Sequence, residues 1–240
     1  GEFAFPKAGH PEKAAMIVGA GPVGLALAKE LGWLGVSCLL IDKASQQTDF
    51  PTSDAVNTRT MEHFRRWGIA DKVRFAGCPP RTPRNVRFVT RVLGHELVRM
   101  ERPTNREQQH LLTDISPEGT IWCPKYLFDP VMRHQLLAYP HVGIAMGWEM
   151  TGFREDAGRV IADLRQVEGG DTLAVECQYL AACDGASSGV RKALGIELEG
   201  SFAEGQNYRI EFRSMVRRDA LADLPGVVIE VMNAGSVSSL

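Results

Sequence analysis

The sequence contains no run of about 18 consecutive apolar residues, so no segment is suited to cross a bilayer. The formal net charge is only -2, and no long basic run occurs, which argues against a nucleic-acid partner. The N-terminus also lacks the basic-then-apolar pattern of a signal peptide. With 44% hydrophobic and 23% charged residues, the composition is that of an ordinary soluble globular protein.

Cysteine is scarce and its spacing carries no motif. The five cysteines are an odd number, and no pair forms a C-x-x-C. This argues against a disulfide framework and against structural zinc, and it predicts a reducing cytoplasmic location. The six histidines show no spacing typical of a metal site, so we predict no metal.

The beginning of the chain has the pattern of a βαβ unit. Ala14 to Val18 is a short apolar run that ends in glycine, and Ser37 to Ile41 is a second apolar run that ends at Asp42. An Ala-rich apolar stretch from Pro22 to Leu34 lies between them and stops at Gly35, which predicts a buried helix with a glycine end signal. The two strands should be parallel, because the crossover is long enough to hold a helix.

The rest of the chain predicts alternating helices and strands. The expected elements are a helix from Thr58 to Trp67, a hairpin over 85–100, a surface loop over 101–119, a helix from Tyr126 to Ala138 with Pro130 in its first turn, successive strands from Val142 to Leu180, and strands at Tyr208–Val216 and Val227–Met232 in a second, antiparallel sheet. We expect residues 236–240 to form a weak tail.

The glycine loop Gly19-Ala20-Gly21-Pro22-Val23-Gly24 fits G-x-G-x-x-G at the junction of a strand and a helix. The first glycine permits the tight turn, the second lets the backbone approach a pyrophosphate, and the third lets helix and strand pack closely. Asp42 lies at the end of the second strand, where an acidic side chain binds a ribose hydroxyl pair. The pattern predicts a dinucleotide site for NAD or FAD, against the alternative of a glycine-rich turn that binds nothing.

Three further motifs follow the glycine loop. They occur in the order Arg59-Thr60-Met61-Glu62, Cys123-Pro124-Lys125-Tyr126-Leu127-Phe128-Asp129-Pro130 and Cys183-Asp184-Gly185-Ala186-Ser187-Ser188-Gly189-Val190-Arg191. Together with the glycine loop, they resemble the FAD-dependent aromatic hydroxylases, or group A flavoprotein monooxygenases. The resemblance covers residues 14 to about 200. It implies an α/β fold: a Rossmann-like FAD-binding domain of the p-hydroxybenzoate hydroxylase type, with part of an antiparallel β substrate domain.

The resemblance also implies a set of cofactor-binding residues. The glycines would hold the FAD pyrophosphate, Asp42 the adenosine ribose, and Arg59 the diphosphate and ribityl chain; Asp184 and Gly185 belong to a motif that serves both FAD and the nicotinamide cofactor. The full expected set is Gly19, Gly21, Pro22, Val23, Gly24, Asp42, Lys43, Arg59, Lys125, Asp184 and Gly185. Two simpler interpretations remain: Arg59 as a surface cation, and Asp184 as the N-cap of a helix beginning near Ser187.

The chain departs from the family pattern in several places. Lys125 stands where the family usually carries a glutamine, and lysine cannot accept a hydrogen bond. The loop over 51–56 lacks an arginine that family members often carry. The family's later Gly-Asp…Pro motif has no counterpart after Asp184. We therefore expect residues 1–13 to be a leader or cloning remnant, 14–200 the FAD-binding domain, and 201–240 the start of a truncated substrate domain.

The implied activity is hydroxylation of a small phenolic or polyketide-like aromatic compound with NADH or NADPH and O2. The protein would supply orientation and a dry pocket, and FAD the redox chemistry. The residues suggest no catalytic base, and the oligomeric state is open. Three alternatives remain: a flavin-dependent halogenase, whose Trp-x-Trp-x-x-Pro signature is absent, an NAD-dependent dehydrogenase, which leaves the Asp-Gly segment unexplained, and a non-catalytic FAD-binding fragment.

Overall fold

A computed structural model describes residues 13–46, 53–91, 94–109, 111, 114–201, 228–233 and 236–239. The chain divides into two compact units. The first consists of residues 1–54 and 124–199, and the second of residues 55–123 and 200–240. The chain thus leaves the first unit after residue 54 and returns to it at residue 124.

The described residues form short helices and strands throughout. In chain order they are β1 (Lys13–Val18), α1 (Pro22–Trp33), β2 (Cys38–Asp42), β3 (Ala55–Val56), α2 (Thr58–Arg66), α3 (Ala70–Ala76), β4 (Val86–Val89), β5 (Glu96–Met100), α4 (Asn105–Gln108), β6 (Ile121–Trp122), α5 (Lys125–Leu136), β7 (Val142–Met146), β8 (Trp148–Asp156), β9 (Arg159–Gln166), β10 (Thr172–Ala182), α6 (Gly189–Ala193), β11 (Val228–Asn233) and β12 (Ser236–Ser239).

The predicted βαβ unit is confirmed as β1, α1 and β2. The two strands are parallel, with Val18 opposite Ile41. Both are fully or partly buried along their length, as strands covered on two faces should be. On one face, Leu25 and Ala28 of α1 are fully buried.

The first unit contains a six-stranded sheet in the order β7-β2-β1-β10-β9-β8. The strands β7, β2, β1 and β10 are parallel, and β8 and β9 extend the sheet as antiparallel hairpins. The successive strands predicted over 142–180 are therefore confirmed. A buried apolar cluster lies on this sheet and is made of Met16, Leu39, Ile41, Ala145, Ala162, Leu164, Val175 and Cys177.

The second unit contains the sheet β12-β11-β4-β5 and the short pair β3-β6. The predicted hairpin over 85–100 is confirmed as β4 and β5. The predicted strand Val227–Met232 is confirmed as β11, but the second sheet is mixed rather than antiparallel, because β11 runs parallel to β4. The segment expected to be a weak tail instead forms β12, antiparallel to β11. The predicted strand Tyr208–Val216 lies outside the described residues.

The segment over 101–119 is more than a surface loop. It contains the short helix α4, whose N-cap Thr104 forms a capping box with Glu107. Asn105, Ser116 and Glu118 are all buried. The Glu118 carboxylate pairs with Arg74 and lies 3.5 Å from a nitrogen of Arg65, so buried charge links the segment to α2 and α3. The polar composition of the segment suggested that it is exposed to solvent. Its burial could not be predicted, because the partners of Glu118 lie more than 40 residues away in the sequence.

Helix α5 differs from the prediction at its start. It begins at Lys125, and Pro130 lies inside it rather than in its first turn. At that position the proline removes one intrahelical N–H donor. No helix within the described ranges is long and apolar enough to span a membrane. Nor do three potential metal-binding side chains (His, Cys, Asp or Glu) come together in this part of the chain.

Asn105 provides a test of the second unit's packing. Its Nδ2 donates to the carbonyls of Cys78 and Trp122 at 3.2 and 3.1 Å, and its Oδ1 accepts from the Trp122 N–H at 2.6 Å. Asn105→Ala should lower the free energy of unfolding by about 2–4 kcal/mol, because buried backbone groups lose their partners. Urea unfolding measures this. A change equal to that of Gln109→Ala, at a partly exposed position of the same segment, would contradict it.

Candidate functional site

The glycine loop is packed so tightly that two of its three glycines have no room for a side chain. Gly19 has φ +104°, and a Cβ there would lie 2.4 Å from the carbonyl oxygen of Cys183. A Cβ on Gly24 would lie 1.9 Å from the carbonyl oxygen of Gly19. The first glycine therefore lets β1 approach the end of β10, and the third lets α1 pack on the loop, as the motif requires.

Gly21, by contrast, faces open space. No atom lies within 4 Å of the position of a Cβ on Gly21. Gly21 is the N-cap of α1, which has no side-chain cap and no acidic residue in its first turn. The first turn therefore offers uncapped N–H groups and the positive end of the helix dipole beside an open approach. This combination suits an anion such as a pyrophosphate.

Asp42 ties the end of β2 to the glycine loop. Its Oδ2 accepts from the N–H of Ala20 at 2.7 Å, and its Oδ1 accepts from the N–H of Ala44 at 2.9 Å. Each carboxylate oxygen keeps a lone pair for a further donor. Asp42 is therefore fixed beside the loop and can still accept bonds from a ribose diol.

Asp184 and Gly185 follow the end of β10 directly. Asp184 Oδ2 accepts from the N–H groups of Gly189 and Val190 at 2.7 and 3.3 Å. Ser188 is the N-cap of α6, so the N-cap interpretation of Asp184 was wrong in detail, although its carboxylate does serve the helix start. Burial raises the pKa of Asp184, but the hydrogen bonds from Ser188 and the backbone N–H groups outweigh it and lower the pKa overall. Its Oδ1 is buried and has no partner among the described residues.

The glycine loop, Asp42 and Asp184 all lie at the carboxyl ends of the parallel strands of the six-stranded sheet. From β1 the chain turns through α1 to β2 on one side, while β10 pairs with β1 on the other. The strand order therefore reverses beside β1, and the crevice outside the carboxyl ends of such strands is where open α/β sheets bind ligands. The glycine loop follows β1 and Asp184-Gly185 follows β10, so both border this crevice.

Lys125 is the first residue of α5, which leads into the parallel strand β7. A helix in such a crossover begins at the carboxyl edge of the sheet, so Lys125 lies at the same edge as the glycine loop. Its ammonium, however, lies 2.6 Å from Oδ2 of Asp129, whose side chain is 0% exposed. Burial raises the pKa of Asp129, and Lys125 and then Arg133 oppose that effect. Lys125 is therefore the counter-ion of a buried carboxylate.

Arg59 belongs to the second unit and lies in the first turn of α2. Its side chain is 76% exposed and pairs with Glu62 at 2.6 Å. Glu62 also accepts from the hydroxyl of Ser116 at 2.7 Å. The hydrogen bond from Ser116 and then that from Arg59 lower the pKa of Glu62. Arg59 is thus a solvent-facing guanidinium held by one carboxylate.

The remaining expected residues lie near the same crevice. Pro22 and Val23 are the first residues of α1 and are exposed, and Lys43 is exposed directly after β2. All expected residues except Arg59 belong to the first unit. Sequence reasoning assigned no role to Asp129 or Ser188, although both lie within the motifs. The Lys125-x-x-x-Asp129 spacing could have revealed Asp129, because residues four apart are neighbours on a helix.

Comparisons with known proteins agree with this fold. The family model described as "FAD binding domain" matches residues 12–238. The chain is 27% identical over 205 residues to the FAD-dependent monooxygenase apdD of Emericella nidulans, covering 83% of this chain and 33% of that protein. It is 30% identical over 199 residues to the 3-(3-hydroxy-phenyl)propionate/3-hydroxycinnamic acid hydroxylase of Paraburkholderia xenovorans, covering 82% of this chain and 30% of that protein.

Among solved structures, the chain is similar to the flavin-dependent monooxygenase PieE in complex with FAD and substrate. The TM-score is 0.78 at 25% identity, and the match covers 95% of this chain and 40% of PieE. The chain spans about a third of the length of the curated relatives it matches. It belongs to the FAD binding domain family, and its fold is the one expected from the glycine loop and the three later motifs.

The glycine loop yields a paired prediction about stability. Gly24→Ala should lower the free energy of unfolding by at least about 3 kcal/mol, because its Cβ meets a backbone oxygen that cannot move independently. Gly21→Ala should change it by about 1 kcal/mol or less, since space is open and φ is -75°. Chemical denaturation of both variants compares them, and equal destabilisation would contradict the packing described.

The pair of Lys125 and Asp129 yields a second prediction. Lys125→Gln should destabilise the chain by about 3 kcal/mol, because it leaves a buried carboxylate without its counter-ion. Adding Asp129→Asn should recover much of this loss, since the amide carries no charge to compensate. A double-mutant cycle by urea unfolding measures the coupling, and additive effects of the two substitutions would show that the pair contributes nothing.

Proposed function

We propose that this chain is the FAD-binding part of a monooxygenase that hydroxylates a small aromatic compound, using NADH or NADPH and O2. The observation that carries the proposal is the crevice at the carboxyl ends of β1 and β10. There the open approach at Gly21 and the uncapped start of α1 follow β1, and Asp184, with its unpartnered Oδ1, follows the neighbouring strand β10.

The residues present fit FAD by charge and by shape. The uncapped N–H groups of α1 would hold the pyrophosphate, and Gly21 leaves the space that such a group needs. Asp42 would accept from the adenosine ribose hydroxyls. Asp184 Oδ1 would accept from a hydroxyl of the ribityl chain. Gly185, with φ +82° and no atom within 4 Å of a Cβ position, leaves its backbone open beside Asp184.

Two of the expected residues, Lys125 and Arg59, contribute less directly to FAD binding in this proposal than the family resemblance implies. The Lys125 ammonium is committed to Asp129, so Lys125 contributes to the site mainly by fixing the start of α5. There its N–H donates to the carbonyl of Ser53 at 2.9 Å. Arg59 is exposed and has Glu62 as its partner, so contact with a phosphate requires the guanidinium to be shared or exchanged. Pro22, Val23 and Lys43 line the approach.

The chemistry divides between the cofactor and the protein. FAD, when bound and reduced by the nicotinamide, supplies the activation of O2 and the transfer of one oxygen atom to an electron-rich ring. The protein's part at this site is to bind and orient the cofactor and to fix its phosphates in a defined electrostatic environment.

The relatives support the substrate class: one is a hydroxylase of a hydroxyphenyl acid, and the others are FAD- or flavin-dependent monooxygenases. All five cysteines are free, which suits the cytoplasm as its location.

FAD binding is tested by titrating the purified chain with FAD and following flavin fluorescence. Gly21→Val should weaken binding by at least about tenfold, because the side chain fills the space left for the pyrophosphate. Gly152→Val is the matched control, since Gly152 lies on β8, away from the crevice, and has room for a Cβ. Absence of FAD binding by the unaltered chain, or equal loss in both variants, would refute the assignment.

The hydroxylase activity requires the full-length protein. NADPH or NADH oxidation should increase when a phenolic compound is added, and one oxygen atom from labelled O2 should appear in the aromatic product. Halide-dependent product formation would instead favour a halogenase. FAD binding without any NAD(P)H oxidation would favour a non-catalytic flavin-binding protein.

A further inference from the structure

The second unit carries a concentration of arginine that FAD binding does not explain. Four arginines lie on two segments that flank the β4–β5 hairpin: Arg81, Arg84, Arg102 and Arg106. We call these four residues the arginine cluster. Since the whole chain has a formal net charge of -2, the cluster is a local reversal of the overall charge.

The two segments are held side by side by backbone contacts. The N–H of Arg106 donates to the carbonyl of Pro80 at 2.9 Å, and the N–H of Arg102 donates to Oδ1 of Asn85 at 3.1 Å. Val86 is paired with Met100 at the end of the hairpin. Arg84 and Arg102 each lie two residues beyond that pair, so both belong to the same end of the hairpin.

None of the four guanidinium groups forms an ion pair or a side-chain hydrogen bond with another described residue. The nearby acidic side chains, Glu96, Glu101 and Glu107, interact with other groups, and the charge of Glu101 helps to raise the pKa of Arg99. Glu96 pairs with Arg87 and Arg99 within the hairpin. Glu107 accepts from the N–H and the hydroxyl of Thr104 in the capping box, both at 2.9 Å. The positive charge of the cluster is therefore not neutralised by these acids.

Arg84 is the central member of the cluster. It is half-buried, and its guanidinium carbon lies 5.9 Å from the centre of the Trp122 ring, within the range of a cation–π contact. Burial, and then the charge of Arg102, lower the pKa of Arg84. The Arg84 guanidinium is thus partly removed from water and lies close to a second positive charge, so an anion between Arg84 and Arg102 would stabilise both groups.

We propose that Arg84 and Arg102 form a binding site for a phosphate group of a small organic ligand. A phosphate monoester carries close to two charges and three peripheral oxygens, and so matches two guanidinium forks, whereas one fork already satisfies a carboxylate. The proposed monooxygenase uses a reduced nicotinamide co-substrate, and a phosphate of that co-substrate is the expected ligand. This choice of ligand rests on the proposed function. Arg81 and Arg106 add longer-range attraction.

Isothermal titration calorimetry of the FAD-saturated protein at low salt tests the site, with adenosine 2′,5′-bisphosphate and adenosine 5′-monophosphate as probes. FAD saturation keeps the probes out of the glycine loop. We expect the bisphosphate to bind about tenfold more tightly than the monophosphate, and Arg84→Gln and Arg102→Gln each to weaken it about tenfold. Arg84→Lys should be intermediate, because it keeps the charge and loses the fork.

The matched control is Arg154→Gln, which removes one exposed positive charge from β8 in the other unit. It should leave probe binding unchanged, and FAD affinity should be the same in all of these variants. Thermal melting shows that each variant is folded. The proposal is overturned if the bisphosphate does not bind, if the Gln variants bind as the unaltered chain does, or if Arg154→Gln loses affinity equally.

The test also separates this proposal from the proposed function. If the chain does not bind FAD, the same titrations are made in the Gly21→Val background, where the glycine loop is blocked and the arginine cluster is intact. Inorganic pyrophosphate as a third probe separates recognition of phosphate alone from recognition of a nucleotide. Tighter binding of a single-stranded oligonucleotide than of the bisphosphate would mark a nucleic-acid surface and overturn the proposal.

Discussion

The close approach of backbone to backbone at the glycine loop is the constraint on which the dinucleotide unit depends. Gly19 touches the carbonyl of Cys183, and the carbonyl of Gly19 in turn touches Gly24. These contacts bring the end of β1, the end of β10 and the start of α1 together without any side chain between them. The candidate site is thus created by the absence of Cβ atoms, and the groups that it presents are chiefly backbone N–H groups and two carboxylates.

Each carboxylate that is buried in the described part of the chain lies against a basic side chain. Asp129 is neutralised by Lys125, and Glu118 pairs with Arg74, with Arg65 close by. Buried ions without partners cost several kcal/mol, so these pairs are required by burial and are weak evidence for catalysis. Against this background the exceptions stand out. Among the described residues, Asp184 Oδ1 has no hydrogen-bond donor and the arginine cluster has no carboxylate partner, so both are open to a ligand.

The sequence alone predicts those elements of the fold that are determined by a local sequence pattern. The βαβ unit, the glycine loop and the strands after Val142 follow from apolar periodicity and from glycines at fixed spacing. It was insufficient where a partner distant in sequence decides the outcome. The polar segment over 101–119 is buried because Glu118 meets Arg74, and β11 is parallel to β4 because of a pairing across more than a hundred residues. Neither partner is marked in the local pattern.

The site residues also divide into those that a local motif predicts and those that depend on another residue. The positions of Gly19, Gly21, Gly24 and Asp42 follow from the motif alone, and the structure brings them together. For Lys125, only its place at the start of a helix could be expected. The direction of its side chain depends on Asp129, an acid that sequence reasoning passed over because it lies within an apolar helix face.

The pairing of β1 with β10 has a consequence for the order in which the molecule forms. Val18 lies opposite Ala182, and most of the chain, including residues 55–123, is synthesised between them. Closing a loop of this length is entropically slow, although each doubling of loop length adds only about 0.6 kcal/mol. The cofactor crevice therefore cannot exist on the ribosome until β10 has emerged, and before then the glycine loop is an exposed nascent segment with one of its walls missing.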